Sequence, residues 1–333
     1  MKKRAIFFFL CLFLFFLKSE ASRFSFKMCG GLSWVKGGDF NRNIRGWRDY
    51  YRDRNTSPYS FKYDMKELKG LWEGKAEIIY SISSRFSLGI GVEFLTEELS
   101  GEMSWSLSQE ETYFHSPDNF GSISIKEESS QDPKYTLQAI PITFTFYYSF
   151  PLGKKLILSL VGGGGYYFGR LRSIEGFDYT FDYTDDRNEH GTLTKFVDQY
   201  SSSGEYSEKS TSRTIGFHGG GSLELKISKN FSLVVEALGR LVDFSGWRGQ
   251  RTDIYGWEHT WGFWGVHSDQ GSQERTSEGK LWFVEFRSQE TGKTYPRLVF
   301  SEEKPVSSFY KNIREGKINL HGLSLRIGFK VQI

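Results

Sequence analysis

Apolar and polar residues alternate along the C-terminal end of the chain, from Leu323 to Ile333. Because successive side chains of a β-strand point to opposite faces, this period of two predicts a strand with two unlike faces. The face that contains Leu323 is wholly apolar, whereas the opposite face carries Arg326 and Lys330. Such a strand separates an apolar environment from a polar one that contains charges.

The same alternation recurs in seven earlier segments. Together, the eight segments are residues 24–34, 72–82, 86–94, 140–150, 156–168, 215–227, 231–241 and 323–333. A soluble sandwich exposes one face of each sheet to water, and that face is rarely so aromatic and aliphatic. An outer-membrane barrel instead turns the apolar face to lipid and the polar face inward. We therefore predict an all-β protein, an antiparallel up-and-down transmembrane β-barrel of eight strands.

The connections between these segments alternate strictly between short and long. The short ones are residues 83–85, 151–155 and 228–230, and the long ones are residues 38–70, 98–133, 169–212 and 245–317. Outer-membrane barrels have this layout, with short periplasmic turns at one end and longer extracellular loops at the other. We expect four long extracellular loops, with both chain termini on the periplasmic side. For loops of this length, partial order as continuations of the strands above the membrane is left open as an alternative.

Two further segments, residues 281–287 and 296–300, also alternate and leave a ten-strand barrel as an alternative. A tilted membrane strand needs about 9–11 residues, so both segments are short for a span. Pro296 weakens the second segment, because proline cannot donate a ladder hydrogen bond. We interpret the pair as an extracellular hairpin that rises above the barrel rim.

The N-terminus has the three parts of a secretory signal peptide. Basic residues 2–4 precede an apolar run over residues 5–17, and small residues precede a cleavage point near Ala21. We therefore assign residues 1–21 to the signal peptide and residues 22–333 to the barrel. Export of the chain agrees with a place in the outer membrane of a Gram-negative-type bacterium.

The composition supports β-structure and narrows the class of function. Phenylalanine, tyrosine and tryptophan number 30, 18 and 9, glycine numbers 36 and proline only 7. Abundant aromatic residues with little proline suit strands. A mean hydropathy of −0.45 is too low for a bundle of membrane helices, and a net charge of only +3 argues against a nucleic-acid partner.

Four features carry a resemblance to a known superfamily: the signal peptide, Ile140–Thr143 running into Tyr147–Pro151, the glycine-aromatic strand Val161–Tyr167, and the final strand. On these features the chain resembles the small outer-membrane β-barrel superfamily that includes the OmpA-like and OmpX-like barrels. The resemblance covers the mature chain and implies contact with outer-membrane lipid and assembly by the barrel-insertion machinery. It fixes no activity. Such barrels often end in an aromatic residue, whereas this chain ends in Ile333.

Charged residues recur on the predicted inner face of the strands. They are Lys27, Glu73, Lys75, Glu77, Glu93, Glu224, Lys226, Glu236, Arg240, Arg326 and Lys330. An eight-strand barrel has room inside only for its own side chains, and an unpaired buried charge is costly. The first interpretation is an ionic plug that fixes strand register. The alternative is a small pore for ions or hydrophobic solutes.

A cluster of glycines falls on the predicted lipid-facing side of two adjacent strands. Its members are Gly162, Gly164, Gly219 and Gly221. Glycine in a strand either relieves curvature or leaves room for another group to approach closely. The cluster is therefore either a bend in a tight barrel or an outer-wall groove for an acyl chain or a partner.

Four tryptophans lie close together in the last predicted loop. They are Trp247, Trp257, Trp261 and Trp264. Exposed aromatic rings suit contact with an extracellular protein or glycan. The same rings would equally pack on one another to keep a long loop compact, and the sequence does not separate these two hypotheses.

No sequence motif in the chain specifies a reaction. GxSxG, HExxH and phosphate-loop motifs are absent, and we expect no metal or cofactor. We predict a non-enzymatic outer-membrane barrel that anchors surface loops for contact with an extracellular or envelope partner. A small pore is the second hypothesis. A lipid-modifying outer-membrane enzyme is the third, because enzymes do occur on small barrels.

Overall fold

A computed structural model describes residues 23–116, 119–189 and 192–333, so the predicted signal peptide lies outside the described residues. Antiparallel β-strands dominate this part of the chain, and the prediction of an all-β protein is confirmed. In chain order the elements are β1 (Phe24–Val35), α1 (Asp39–Arg54), β2 (Tyr59–Met65), β3 (Gly70–Ser81), β4 (Phe86–Ser116), β5 (Asn119–Pro151), β6 (Leu156–Glu189), β7 (Thr192–Lys226), β8 (Phe231–Phe244), β9 (Arg248–Phe263), β10 (His267–Arg287), β11 (Thr294–Ser301), β12 (Tyr310–Glu315), β13 (Ile318–Asn319) and β14 (Gly322–Gln332).

Eight strands pair side by side into a closed ring. Its order is β1, β3, β4, β5, β6, β7, β8 and β14, and β14 pairs with β1. All of these pairings are antiparallel. Each segment predicted from alternation contributes one ring strand. The two further alternating segments, residues 281–287 and 296–300, pair with each other within β10 and β11, away from the ring.

Burial alternates along the ring strands as the sequence pattern predicts. In β8, every second residue from Ser232 to Phe244 is buried, and the residues between them are exposed. The exposed face is apolar: Ile90 is 62% exposed, and Ile215 and Ile327 are each 66% exposed. The ring therefore turns an apolar face outward and buries most of the charged side chains on its inner face.

Four ring strands continue well beyond the ring. Strands β4, β5, β6 and β7 have 31, 33, 34 and 35 residues, and their distal parts form a further sheet with β2, β9 and β10. The strand order of this sheet is β2, β4, β5, β6, β7, β9 and β10. We call it the β-sheet extension, and it includes residues 97–116, 119–138, 170–189 and 192–214 of the long strands.

Residues 98–133 and 169–212 are therefore not irregular loops where the structure describes them, and the alternative of continued strands applies to both segments. Serine, threonine and aromatic residues occupy both faces of these segments, which hides their alternation in the sequence. Pairing with a neighbouring strand that also leaves the ring satisfies the backbone N–H and C=O groups, so continued strand is favoured over irregular chain. The last predicted loop, residues 245–317, likewise contains β9 to β12.

The prediction of a loop at residues 38–70 is wrong, because this segment contains α1 and β2. Phe40, Ile44, Trp47 and Tyr51 have the spacing of one helix face, and this face packs toward β11 and β2. Arginine, asparagine and aspartate around them hid the pattern. No helix of the described residues is both long enough and apolar enough to cross a membrane.

Asp39 holds the start of α1 in place. Its carboxylate accepts hydrogen bonds from Nη2 of Arg314 at 2.7 Å and from the backbone N–H of Lys317 at 2.8 Å. A negative charge in the first turn also interacts favourably with the helix dipole. Together α1 and β11 form a layer over one face of the β-sheet extension. We call this layer of α1 and β11 the cap.

An apolar core joins the ring, the β-sheet extension and the cap. Leu71, Leu95 and Phe244 of the ring strands are completely or almost completely buried in it, together with Phe40 and Ile44 of α1. Along their strands, Leu71 and Leu95 lie just beyond the buried charges of the ring. The core therefore closes the end of the ring from which the β-sheet extension rises.

Gly46→Ala tests how closely α1 packs on β11. A methyl group on Gly46 would lie 2.0 Å from the carbonyl oxygen of Pro296, so the helix would have to shift away. We expect a loss of about 1–3 kcal/mol in the free energy of unfolding in urea, because overpacking strains a close contact. Gly176→Ala is the matched control, since its added methyl meets no atom within 4 Å. Equal losses in the two variants would contradict the close packing.

Candidate functional site

Two arginines and two glutamates form the centre of a buried ionic network inside the ring. Arg326 donates to Glu73 through Nε at 2.8 Å and to Glu93 through Nη2 at 3.0 Å. Arg240 donates through Nη2 to the same two carboxylates, at 3.0 and 2.9 Å. Ser33 donates its hydroxyl to Glu73 at 2.7 Å. None of these residues is more than 6% exposed.

A second part of the network lies closer to the short turns. Nζ of Lys27 is 2.6 Å from Glu77 and 2.7 Å from Glu236. Nζ of Lys75 is 3.0 Å from Glu77 and 3.8 Å from Glu93, so it connects the two parts. Charges that the sequence places on five different strands thus converge on one buried cluster.

The charges of this network balance. Its four cations and four carboxylates are Lys27, Lys75, Arg240 and Arg326, and Glu73, Glu77, Glu93 and Glu236. Apolar side chains, among them Ile79, Val161 and Leu238, pack beside the network and fill space within the ring. Balanced pairing offsets the cost of burying the charges. The arrangement can hold the register of the ring strands and obstruct the interior.

The other three predicted interior charges lie near the short turns. Nζ of Lys330 is 2.8 Å from Glu224, and both line an open recess of about 460 Å³. Lys226 lines the same recess but is exposed, so the prediction that it joins the buried network is wrong. Its position at the end of β7 lets the side chain reach solvent.

The predicted glycine cluster lies on the exposed face of β6 and β7. Gly162 pairs directly with Gly219, and a methyl group on Gly162 would meet no atom within 4 Å. Gly164 and Gly221 flank this pair on the same face. The next residue across the sheet is Gly239 of β8, which the sequence analysis did not single out. Gly162, Gly219 and Gly239 thus form a row across three strands. Placing β8 beside the β6–β7 hairpin in the sequence analysis would have brought Gly239 next to Gly219.

An open groove of about 510 Å³ follows this row. Gly219 and Gly239 line it together with Phe217 and Leu241. Of the four predicted glycines, only Gly219 is among its lining residues. Whether the groove receives an acyl chain stays a prediction.

The four predicted tryptophans do not form one exposed cluster. Trp247 is fully buried, with its ring 5.5 Å from that of Phe244, so its prediction as a surface contact is wrong. Trp247 lies between β8 and β9 and belongs to the apolar core that joins the ring, the β-sheet extension and the cap. Trp264 is 63% exposed at the turn between β9 and β10. Trp257 and Trp261 are half-buried on β9.

Trp257 and Trp261 belong to a larger aromatic surface on the β-sheet extension. It continues the inner face of the ring strands, and we call it the aromatic face. Its half-buried members include Trp105, Tyr179, Tyr200, Trp257, His259 and Trp261. Neighbouring ring centroids are 6.3 Å apart for Trp105 and Tyr179, and 6.0 Å apart for Tyr179 and Tyr200.

Polar groups lie between these rings. Nε2 of His259 is 2.7 Å from a carboxylate oxygen of Asp198, and the ring of His259 stacks on Trp261 with centroids 4.5 Å apart. The hydroxyl of Tyr179 donates to Glu127 at 2.7 Å. Flat rings with hydrogen-bonding groups beside them can stack on a partner and bond its polar atoms.

The opposite face of the β-sheet extension is rich in hydroxyl groups. Two shallow grooves, of about 680 and 400 Å³, meet there at Asp178 and Thr180. Serines of five other strands line them. This face carries few rings, which makes it a matched comparison for the aromatic face.

The chain has no match among known protein families, and a comparison with curated proteins finds none that is similar to it. The candidate sites therefore stand on their geometry alone.

Glu93→Gln tests the buried ionic network. The variant leaves Arg240 and Arg326 with one carboxylate fewer, so we expect a loss of about 3–5 kcal/mol in the free energy of unfolding. Urea unfolding in detergent, followed by tryptophan fluorescence, measures the loss. Glu224→Gln is the control, because the pair of Glu224 with Lys330 lies near the short turns and is less buried. A loss no larger for Glu93→Gln than for this control would refute the network's role.

Proposed function

We propose that the eight-strand ring is a transmembrane β-barrel of a bacterial outer membrane. In this proposal the barrel anchors the β-sheet extension outside the membrane as a surface for an extracellular or envelope partner. The observation that carries the proposal is the orientation of the ring, whose apolar side chains face outward while its charges are buried and paired. Water solvates such an outer surface poorly, whereas lipid chains solvate it well.

The dimensions of the ring support this proposal. Strand β14 has 11 residues, all within the ring. Eleven residues span about 36 Å along a strand, and about 25–28 Å along the axis of a barrel whose strands tilt by about 40–45°. The apolar band of an outer-membrane barrel is about 25 Å tall. The ring is therefore long enough to cross the hydrocarbon layer once, and assembly would use the barrel-insertion machinery.

The buried network favours an anchor over a pore. A conducting interior needs a continuous wet path, whereas eight balanced charges and the apolar core occupy the interior of this ring. Eight strands also leave an interior just wide enough for side chains. We therefore place the function on the β-sheet extension.

The aromatic face is the surface that we assign to the partner. A rigid sheet loses little conformational entropy on binding, and its rings offer large contact areas. The polar groups of Asp198, His259 and Glu127 lie close enough to bond a ligand that stacks on the rings. This mixture suits a glycan, whose sugar rings have both an apolar face and hydroxyl groups.

Single-channel recording distinguishes the anchor from the pore. We expect the refolded chain from residue 22 onward to insert into planar bilayers without steady openings, because its interior is filled. Insertion is checked separately by protection of the ring strands from protease. Steady openings that change in Arg326→Ala would contradict the proposal and favour the pore.

Paired variants test the aromatic face. We expect Tyr200→Ala with Trp257→Ala to weaken binding to an immobilised panel of bacterial-surface and host oligosaccharides by about 10- to 100-fold, since each ring contributes about 0.7–1.4 kcal/mol. Asp178→Ala with Thr180→Ala, on the opposite face, is the control. Equal effects of the two double variants would count against the aromatic face. A panel in which no oligosaccharide binds the unmodified protein would exclude a glycan partner.

A further inference from the structure

A cavity of about 350 Å³ lies between the cap and the β-sheet extension. Trp47 of α1 and Phe300 of β11 line it from the cap, and Tyr135, Glu175, Tyr206 and Glu208 line it from the extension. It is separate from the exposed part of the aromatic face, because the cap covers this end of the sheet. Nine of its fourteen lining residues are apolar or aromatic, as in pockets that bind small molecules.

Two carboxyl groups enter this cavity from adjacent strands. Glu175 on β6 pairs with Tyr206 on β7, and Glu208 on β7 pairs with Ser173 on β6. The two glutamates are therefore diagonal neighbours on the same face of the sheet, close enough for one ligand group to contact both. Burial raises the pKa of both carboxyl groups.

No ion pair neutralises these glutamates among the described residues. Arg251 is the one cation among the residues that line the cavity, and it lies opposite Glu208 in the register of β7 and β9. Its Nε donates a hydrogen bond to Asp253 at 2.6 Å and not to Glu208. Its guanidinium lies over the ring of Tyr206, 4.7 Å from the centroid. Glu208 accepts a hydrogen bond from Ser210 at 2.7 Å.

The cap supplies no cation to the cavity wall either. The side chains that it contributes are apolar, aromatic or amide. Arg297 is not among the lining residues, and its guanidinium carbon lies 3.4 Å from the centroid of the Trp47 ring. Two carboxyl groups are thus held beside aromatic rings without a cation bonded to either.

We propose that this cavity binds a small organic cation, an ammonium group attached to an apolar or aromatic body. The two glutamates hold the ammonium through charge-assisted hydrogen bonds. The rings of Tyr135, Tyr206 and Trp47 contact the apolar body and attract the cation through their faces. This site goes beyond the proposed surface function and does not depend on whether the ring lies in a membrane.

Titration calorimetry with 2-phenylethylammonium tests the site in the refolded full-length protein in detergent at pH 8. We expect saturable binding to one site. Glu175→Gln with Glu208→Gln should weaken it by on the order of tenfold or more, because hydrogen bonds to a charged group are lost. Glu205→Gln is the matched control, since Glu205 is an exposed carboxylate on the opposite face of β7.

The pH dependence gives a second readout. The ammonium binds the deprotonated carboxylates. Its affinity is therefore highest above the pKa of the two glutamates and falls as the pH drops through that pKa. Because burial raises this pKa, the loss should begin at a higher pH than protonation of an exposed carboxylate. Asp253 and Arg251 form the other charged pair beside the cavity.

Three results would overturn the proposal. They are the absence of binding to the folded protein, unchanged affinity in the double glutamine variant, and equal affinity for the neutral alcohol 2-phenylethanol. Ser173→Phe provides an independent check, because its ring would fill the cavity from the sheet side and should abolish binding while leaving both carboxyl groups in place. Persistent binding in that variant would place the ligand elsewhere.

Discussion

The ring depends on burying eight charges without leaving any of them unpaired. Arg240 and Arg326 share Glu73 and Glu93, and a missing partner would leave a buried charge uncompensated. Arg240 and Glu73 are 167 residues apart in the chain, so they meet only when the ring is closed. Closure and charge pairing therefore stabilise each other, and together they fix the register that turns the apolar residues outward.

The β-sheet extension is a consequence of the same register. Strands β4 to β7 leave the ring already paired, so their backbone groups find partners for as long as the strands continue together. Their distal pairing also preserves the two faces, and the aromatic face is the continuation of the face that is buried in the ring. A loop would have had to satisfy those backbone groups with water.

The cap makes two different sites out of one face. Near the ring, α1 and β11 cover the sheet and enclose the cavity that contains Glu175 and Glu208. Farther out, the rings of Tyr179, Tyr200 and Trp257 remain half-exposed. A single continuous surface thus provides an enclosed, acidic pocket suited to a small ligand and an open surface suited to a large one.

The sequence by itself determined the ring strands and their two faces, because alternation in a pleated strand is a local property. It also placed Lys27, Glu73 and Arg326 on the inner face. It did not determine α1, whose four apolar residues lie among polar ones, or the burial of Trp247. Only the tertiary structure decided which charges pair, how far the strands continue, and that Glu175 and Glu208 share a cavity, because each of these depends on contacts between segments that are distant in the chain.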